Sequence, residues 1–243
     1  MSRGNRSGQK GIGSAISAIL KRQAGNKKLH PHLATMPEGA ERERSYLRLA
    51  SQIGARYAGC TLENYLPTTV SQVDVIKKLS EYKEELPAKI REGSGILWYG
   101  NVGTGKDHMA AAMLYEAVLS PGYRCRYIRG ATLFEQLRAA IGEGIPEKEI
   151  LRPLEDPVIL CISDVVPPVG STTKYQTDAM YRMIDSRYRQ RKTTWATLNV
   201  DDGSDAEQRL SEQIVDRLSH DALALCCDWV SYRRKKGDAE KTV

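Results

Sequence analysis

The segment Gly100-Asn101-Val102-Gly103-Thr104-Gly105-Lys106-Asp107 constrains this chain more than any other. It fits G-x-x-x-x-G-K, with Asp standing where Ser or Thr is usual. The apolar run Ile96-Leu97-Trp98-Tyr99 leads into it and an Ala-rich stretch, His108 to Val118, leads out. Strand, glycine loop and helix in that order are what a phosphate-binding loop needs. The glycines let the backbone close around phosphate oxygens with its N–H groups turned inward. The helix N-terminus faces the same anion, and Lys106 supplies charge to β- and γ-phosphates. Gly100, Val102, Gly103, Thr104, Gly105, Lys106 and Asp107 are therefore expected to bind nucleotide, with ATP and Mg²⁺ as cofactors.

Further buried strands are expected at Cys125–Ile128, Val158–Ile162, Thr194–Leu198 and Ala222–Cys227, separated by helical stretches. Alternating strand and helix implies an α/β fold, a parallel sheet covered on both faces. Upstream, Ile76, Leu79 and Leu86 suggest one helix, and Tyr46, Leu49, Ile53 and Tyr57 share the face of another. No apolar run approaches the roughly 18 residues of a membrane span, so a membrane helix is excluded. The start of the chain is a poor secretory signal. The five cysteines form no C-x-x-C pair, and their number is odd. Reduced thiols in a cytoplasmic protein are expected, not a disulfide frame or a zinc site.

The departure at Asp107 directs attention to the end of the third strand, Val158-Ile159-Leu160-Cys161-Ile162-Ser163-Asp164. A nucleotide hydrolase normally ends this strand with two acids, one for the metal and one to orient the attacking water. Here the pair is Ser163-Asp164. In one register hydroxyl and carboxylate have changed places: Asp107 sits where Ser/Thr is usual, Ser163 where Asp is usual. The carboxylates near Mg²⁺ are then preserved, with Asp107, Ser163 and Asp164 as metal-site residues and Asp164 as the water-polarising acid. In the other register Asp164 is the metal acid and Val165 replaces the catalytic one, giving a nucleotide switch with little turnover. The exchange alone gives both substitutions a common physical reason.

Asn199, ending the fourth strand, is placed to hydrogen-bond the γ-phosphate or the attacking water. Arg217, in Glu212-Gln213-Ile214-Val215-Asp216-Arg217-Leu218, is a candidate arginine finger for a neighbouring subunit's ATP. Either residue alone is an ordinary turn Asn or surface Arg; the order loop, acid, Asn, Arg raises them.

From Leu62 to Arg233 the chain resembles the DnaC/IstB-like AAA+ ATPases. The resemblance rests on Leu62-Glu63-Asn64-Tyr65, Gly103-Thr104-Gly105-Lys106-Asp107-His108, the Asn199 strand, Val215-Asp216-Arg217 and Asp228-Trp229-Val230-Ser231-Tyr232-Arg233. It implies a P-loop NTPase core of AAA+ type with three α/β/α layers and a five-stranded parallel sheet. His108 joins the nucleotide-binding set, Asn199 becomes sensor 1 and Arg217 the arginine finger through which copies assemble. It also implies DNA replication, with single-stranded DNA and a replicative (DnaB-like) helicase as partners and ATP hydrolysis as the activity. An IstB-like transposition helper and a non-hydrolysing ATP-binding adaptor are the alternatives. Gln213 departs from the family, which has Arg there.

Charge divides the chain differently. Residues 1–58 hold 11 Lys/Arg against 3 Asp/Glu, and residues 59–243 hold 25 against 27. A basic N-terminal extension over 1–58, partly helical through Ile12, Ile16, Ile19 and Leu20 and docking on a partner, is expected ahead of an ATP-binding domain over 59–243. A solvated tail is the plainer reading. A second basic group, Arg182, Arg187, Arg189, Arg191 and Lys192, has Tyr181 and Tyr188 interleaved. Bases stack on rings while cations follow the backbone, so single-stranded DNA is a candidate there too, against an ordinary solvated helix end. His30-Pro31-His32 and His220 have no partner spacing for a metal.

Overall fold

In a computed structural model, residues 35–167, 170 and 172–233 are described. The amphipathic stretch at Ile12–Leu20 and the His30/His32 pair lie outside them. Five parallel strands form one sheet: β1 (Ile96–Tyr99), β2 (Cys125–Arg129), β3 (Ile159–Ser163), β4 (Thr193–Leu198) and β5 (Leu223–Cys226), in the order β2-β3-β4-β1-β5. Each lies within a residue or two of its sequence expectation. The central strands β3 and β4 are buried at every position, as strands covered on both faces must be.

Alternation along the strands builds two cores. Ile96, Trp98, Ile159, Cys161 and Trp195 face one side, under α1 (Ala40–Ile53), α2 (Val70–Glu84), α3 (Leu86–Glu92) and α4 (Lys106–Leu119). Leu97, Leu160, Ile162, Ala196 and Leu198 face the other. That side is covered by α5 (Gly130–Glu143), α6 (Glu147–Glu155), α7 (Lys174–Arg189), α8 (Gly203–Arg209) and α9 (Glu212–Ser219). Trp98 and Trp195 meet edge to face at 6.2 Å in the first core.

Local signals set the ends of these helices. Thr69 with Gln72 and Thr173 with Gln176 form capping boxes that start α2 and α7. The single helix expected through Ile76, Leu79 and Leu86 is two, because the chain breaks at Glu85 and Pro87 then opens α3. Tyr46, Leu49 and Ile53 are the buried face of α1, whereas Tyr57 sits beyond Gly54 in the short turn Ala55–Tyr57. Although α1 belongs to the basic quarter by charge, it packs into the first core. Arg42 donates to the carbonyls of Met36, Leu119 and Ser120, and the Gln52 side-chain oxygen accepts from Tyr127 N–H at 3.1 Å.

Candidate nucleotide site

The order β3-β4-β1 places three strand ends side by side, and the phosphate loop, Ser163-Asp164 and Asn199 follow those ends. They surround a cavity of about 380 Å³ lined by Val102, Gly103, Gly105, Lys106, Asp107, His108, Asp164 and Asn199. Gly103 and Gly105 have φ of +81° and +92°, where a side chain is strained. A Cβ on Gly103 would stand 2.0 Å from Ser231 Oγ, and one on Gly105 2.7 Å from Tyr65 Cε2.

Two distant segments hold the loop. Tyr65 Oη and Trp229 Nε1 both donate to the Thr104 carbonyl, at 3.0 and 2.9 Å. Tyr232 N–H donates to Gly103 O, and Asn101 Nδ2 to Asp228 O. Thr104 is buried with its hydroxyl turned to Asn101 O, and Gly100 is pressed against Cys227. These two shape the loop without lining the cavity. His108 stitches the 60–61 turn to α4: Nε2–H donates to Thr61 O at 3.0 Å, leaving Nδ1 to accept from Cys60 Sγ at 3.4 Å. Burial pushes the Cys60 thiol up to about 11.

Lys106 is buried and donates to the carbonyls of Gly100 and Asn101 at 2.8 and 2.6 Å. Burial draws it below the ordinary lysine range, against the upward pull of Cys227, Asp164 and Asp107. Asp107 Oδ1 accepts from Ser163 Oγ at 2.7 Å and from Thr197 Oγ1 at 3.3 Å. One carboxylate and two hydroxyls are hard oxygen donors of the kind Mg²⁺ takes, but of the three only Asp107 lines the cavity, while Ser163 and Thr197 are buried behind it. Asp164 follows with φ of +49°, its peptide N–H bonded to Thr197 Oγ1 and its backbone carbonyl pressed on Gly130. Its carboxylate accepts from Asn199 Nδ2 at 2.6 Å. Burial and the neighbouring Asp107 raise its pKa.

Arg217 is not part of this cavity. Its guanidinium donates to Asp185 Oδ1, Gln213 O and Tyr181 Oη at 2.8, 3.1 and 2.9 Å. It lines a separate cleft at the opposite ends of the strands, with Gly95 and Thr194.

The basic group expected to track DNA is corrected. Arg187 is wholly buried and donates to the carbonyls of Leu154, Glu155, Pro157, Val158 and Thr193 and to Thr194 Oγ1. These acceptors come from the end of α6, the turn into β3 and the start of β4. Arg182 is paired with Glu147 at 2.8 Å. Arg189, Arg191 and Lys192 remain on the Arg217 cleft beside Tyr188 and His220.

Sequence reasoning missed Arg56, Tyr57, Leu66, Tyr232 and Arg233 as cavity residues. They come from the turn after α1 and from the last described segment, which Tyr232 joins by donating to Leu66 O at 3.1 Å. The Asn64-Tyr65 and Ser231-Tyr232-Arg233 motifs marked the region without revealing that both fold over the loop.

Similar proteins agree with this architecture. The replicative helicase loader DnaC of Escherichia coli K12 is 25% identical over 229 residues, 93% of this chain and 84% of its own. An insertion sequence ATP-binding protein of Sinorhizobium fredii is 25% identical over 209 residues, 84% of this chain and 68% of its own. Among solved structures, a DnaC helicase loader shares the fold at a TM-score of 0.65 and 23% identity, covering 72% of this chain and all of that one. The replication initiator DnaA bound to AMPPCP and single-stranded DNA does so at 0.58 and 21%, over 73% of this chain and 51% of that one. The fold is thus the AAA+ type of P-loop α/β domain. Among the described residues no helix is long and apolar enough to cross a membrane. The IstB-like ATP binding protein family matches residues 39–239, and this chain belongs to it.

Proposed function

We propose that this chain is a helicase-loader-like ATPase of the cytoplasm, binding ATP with Mg²⁺ and coupling hydrolysis to its grip on single-stranded DNA and a replicative helicase. The observation that supports this most is the convergence of Lys106, the Asp107–Ser163 pair and the Asp164–Asn199 pair on one cavity. Lys106 leaves its two loop carbonyls for the β- and γ-phosphates. Asp107, with Ser163 and Thr197 bonded to it, would hold Mg²⁺, which would supply charge to those phosphates. Asp164 accepts a proton from the attacking water while Asn199 fixes that carboxylate and the γ-phosphate side of the cavity. The Ser163–Asp107 hydrogen bond favours the exchanged register over the switch register.

Arg217 acts on the nucleotide of a neighbouring copy, since its own chain holds it away from its own cavity. Loss of the γ-phosphate then loosens the interface and releases DNA. Residues 1–34 hold 7 Lys/Arg and no Asp/Glu, and we assign partner docking to them. Kinship with the insertion sequence protein favours a second reading, a transposition helper on duplex DNA. Pull-downs with helicase and with transposase separate the two.

The test is steady-state ATP hydrolysis with and without single-stranded DNA, beside Lys106→Ala. DNA-stimulated turnover that vanishes in the variant supports the ATPase. Nucleotide binding without turnover favours the switch or adaptor reading.

A further inference from the structure

The Arg217 cleft contains an arrangement that the nucleotide site does not explain. An arginine has five N–H donors. Three of those on Arg217 are engaged within its own chain: Nε by Asp185, Nη1 by Gln213 O and Nη2 by Tyr181 Oη. The Tyr181 ring also lies 4.7 Å below the guanidinium carbon. One N–H on each Nη remains for an oxyanion. The other oxygen of Asp185 accepts from Arg189 Nε at 2.7 Å, so one carboxylate ties together two arginines of the cleft. Arg217 and Asp185 side chains are only 20% and 16% exposed, so this is a seated group rather than a waving surface cation.

We infer that Asp185 and Tyr181 are positioning residues for Arg217, holding its guanidinium side-on so that its two remaining Nη–H groups meet the terminal phosphate of the nucleotide bound by a second copy. The inference rests on the trans role given to Arg217 above. A long side chain left to rotate would reach that phosphate only in a fraction of its rotamers. Fixing it in advance removes that ordering cost at the moment of assembly. Asp185 also takes Nε out of play, so that only the one remaining N–H on each Nη is offered.

Subunit mixing tests this. Asp185→Ala is expected to lower hydrolysis about 10- to 100-fold, the order that misplacing a reacting group costs, and Tyr181→Phe by a few-fold. Arg217→Ala mixed with Lys106→Ala should regain activity, because one copy brings an intact phosphate loop and the other an intact Arg217. Asp185→Ala mixed with Lys106→Ala should regain it to the same extent, and Asp185→Ala mixed with Arg217→Ala should not. A misfolded Asp185 variant could lend no phosphate loop, so its rescue excludes mere structural damage. Wild-type turnover in Asp185→Ala overturns the inference, as does a failure of the Asp185/Lys106 mixture where the Arg217/Lys106 mixture succeeds. If the Arg217/Lys106 mixture itself fails, the trans role of Arg217 falls first and takes the inference with it.

Discussion

Exchanging Asp107 and Ser163 tests the metal site without adding or removing any kind of group. Their side chains meet at 2.7 Å, a hydroxyl donating to a carboxylate. Asp107→Ser leaves three hydroxyls there, with Thr197, and only the Asp164 carboxylate for Mg²⁺. Ser163→Asp sets two carboxylates about 4 Å apart, which repel by about 4 kcal/mol at an effective dielectric constant of 20. A bound cation would relieve that repulsion, so the loss comes instead from the added charge facing the nucleotide phosphates, and a drop of at least about 10-fold in nucleotide affinity is expected. The double variant Asp107→Ser/Ser163→Asp restores one carboxylate and one hydroxyl with their places exchanged. Titration of a fluorescent ATP analogue, in Mg²⁺ and in EDTA, reads the effect. With about 10-fold lost in each single variant, the double variant should recover to within about 3-fold of the parent, a coupling of roughly 2 kcal/mol between contacting residues. Penalties that simply add, leaving the double variant weaker than either single one, would refute the exchange.

Arg187→Met removes the donor that several buried carbonyls share, and should destabilise the fold by about 3–5 kcal/mol, read by thermal or urea unfolding. If Arg187 instead served DNA, the same variant would fold normally and bind DNA more weakly. Gly103→Ala, at φ of +81° and against Ser231, should weaken nucleotide binding at least about 10-fold while the sheet still folds. Asp164 carries a folded-state pKa raised above the usual 3.8 by burial and Asp107. Its contribution to stability is therefore full below 3.8 and lost as pH rises through the raised value. Asp164→Asn should thus stabilise the metal-free, nucleotide-free protein near neutral pH while abolishing turnover, and the stability gain should vanish at acidic pH. Melting curves in EDTA across pH check both limbs.

The strands were legible because sheets covered on both faces leave continuous apolar runs, as in Ile159–Cys161, and a glycine loop between strand and helix has few other uses. Asp107, Ser163, Asp164 and Asn199 were legible as neighbours because Asp107 opens the helix after the glycine loop and the others stand at the ends of β3 and β4. The basic run around Arg187 was not. Tyr188-Arg189-Gln190-Arg191-Lys192 reads as a uniformly solvated helix end, and nothing in its spacing marks Arg187 as the residue that turns inward. That depends on six acceptors supplied by other elements. Arg56, Tyr57 and Arg233 were illegible for a related reason. Their relation to the phosphate loop exists only once two segments on either side of the core cross above it.

The buried Arg187 has a mechanical meaning. It bolts the C-terminal end of α7 to the near ends of β3 and β4, whose far ends carry Ser163 and Asn199. A strand of this length, about 3.3 Å per residue, is a short stiff rod. In the assembly proposed above, a neighbour that leans on Asp185 or Arg217 would lean on a strut whose other end is the nucleotide cavity. The Arg217 cleft and the nucleotide cavity thus lie at opposite ends of the same two strands, with one buried arginine tying α7 to the cleft ends of both.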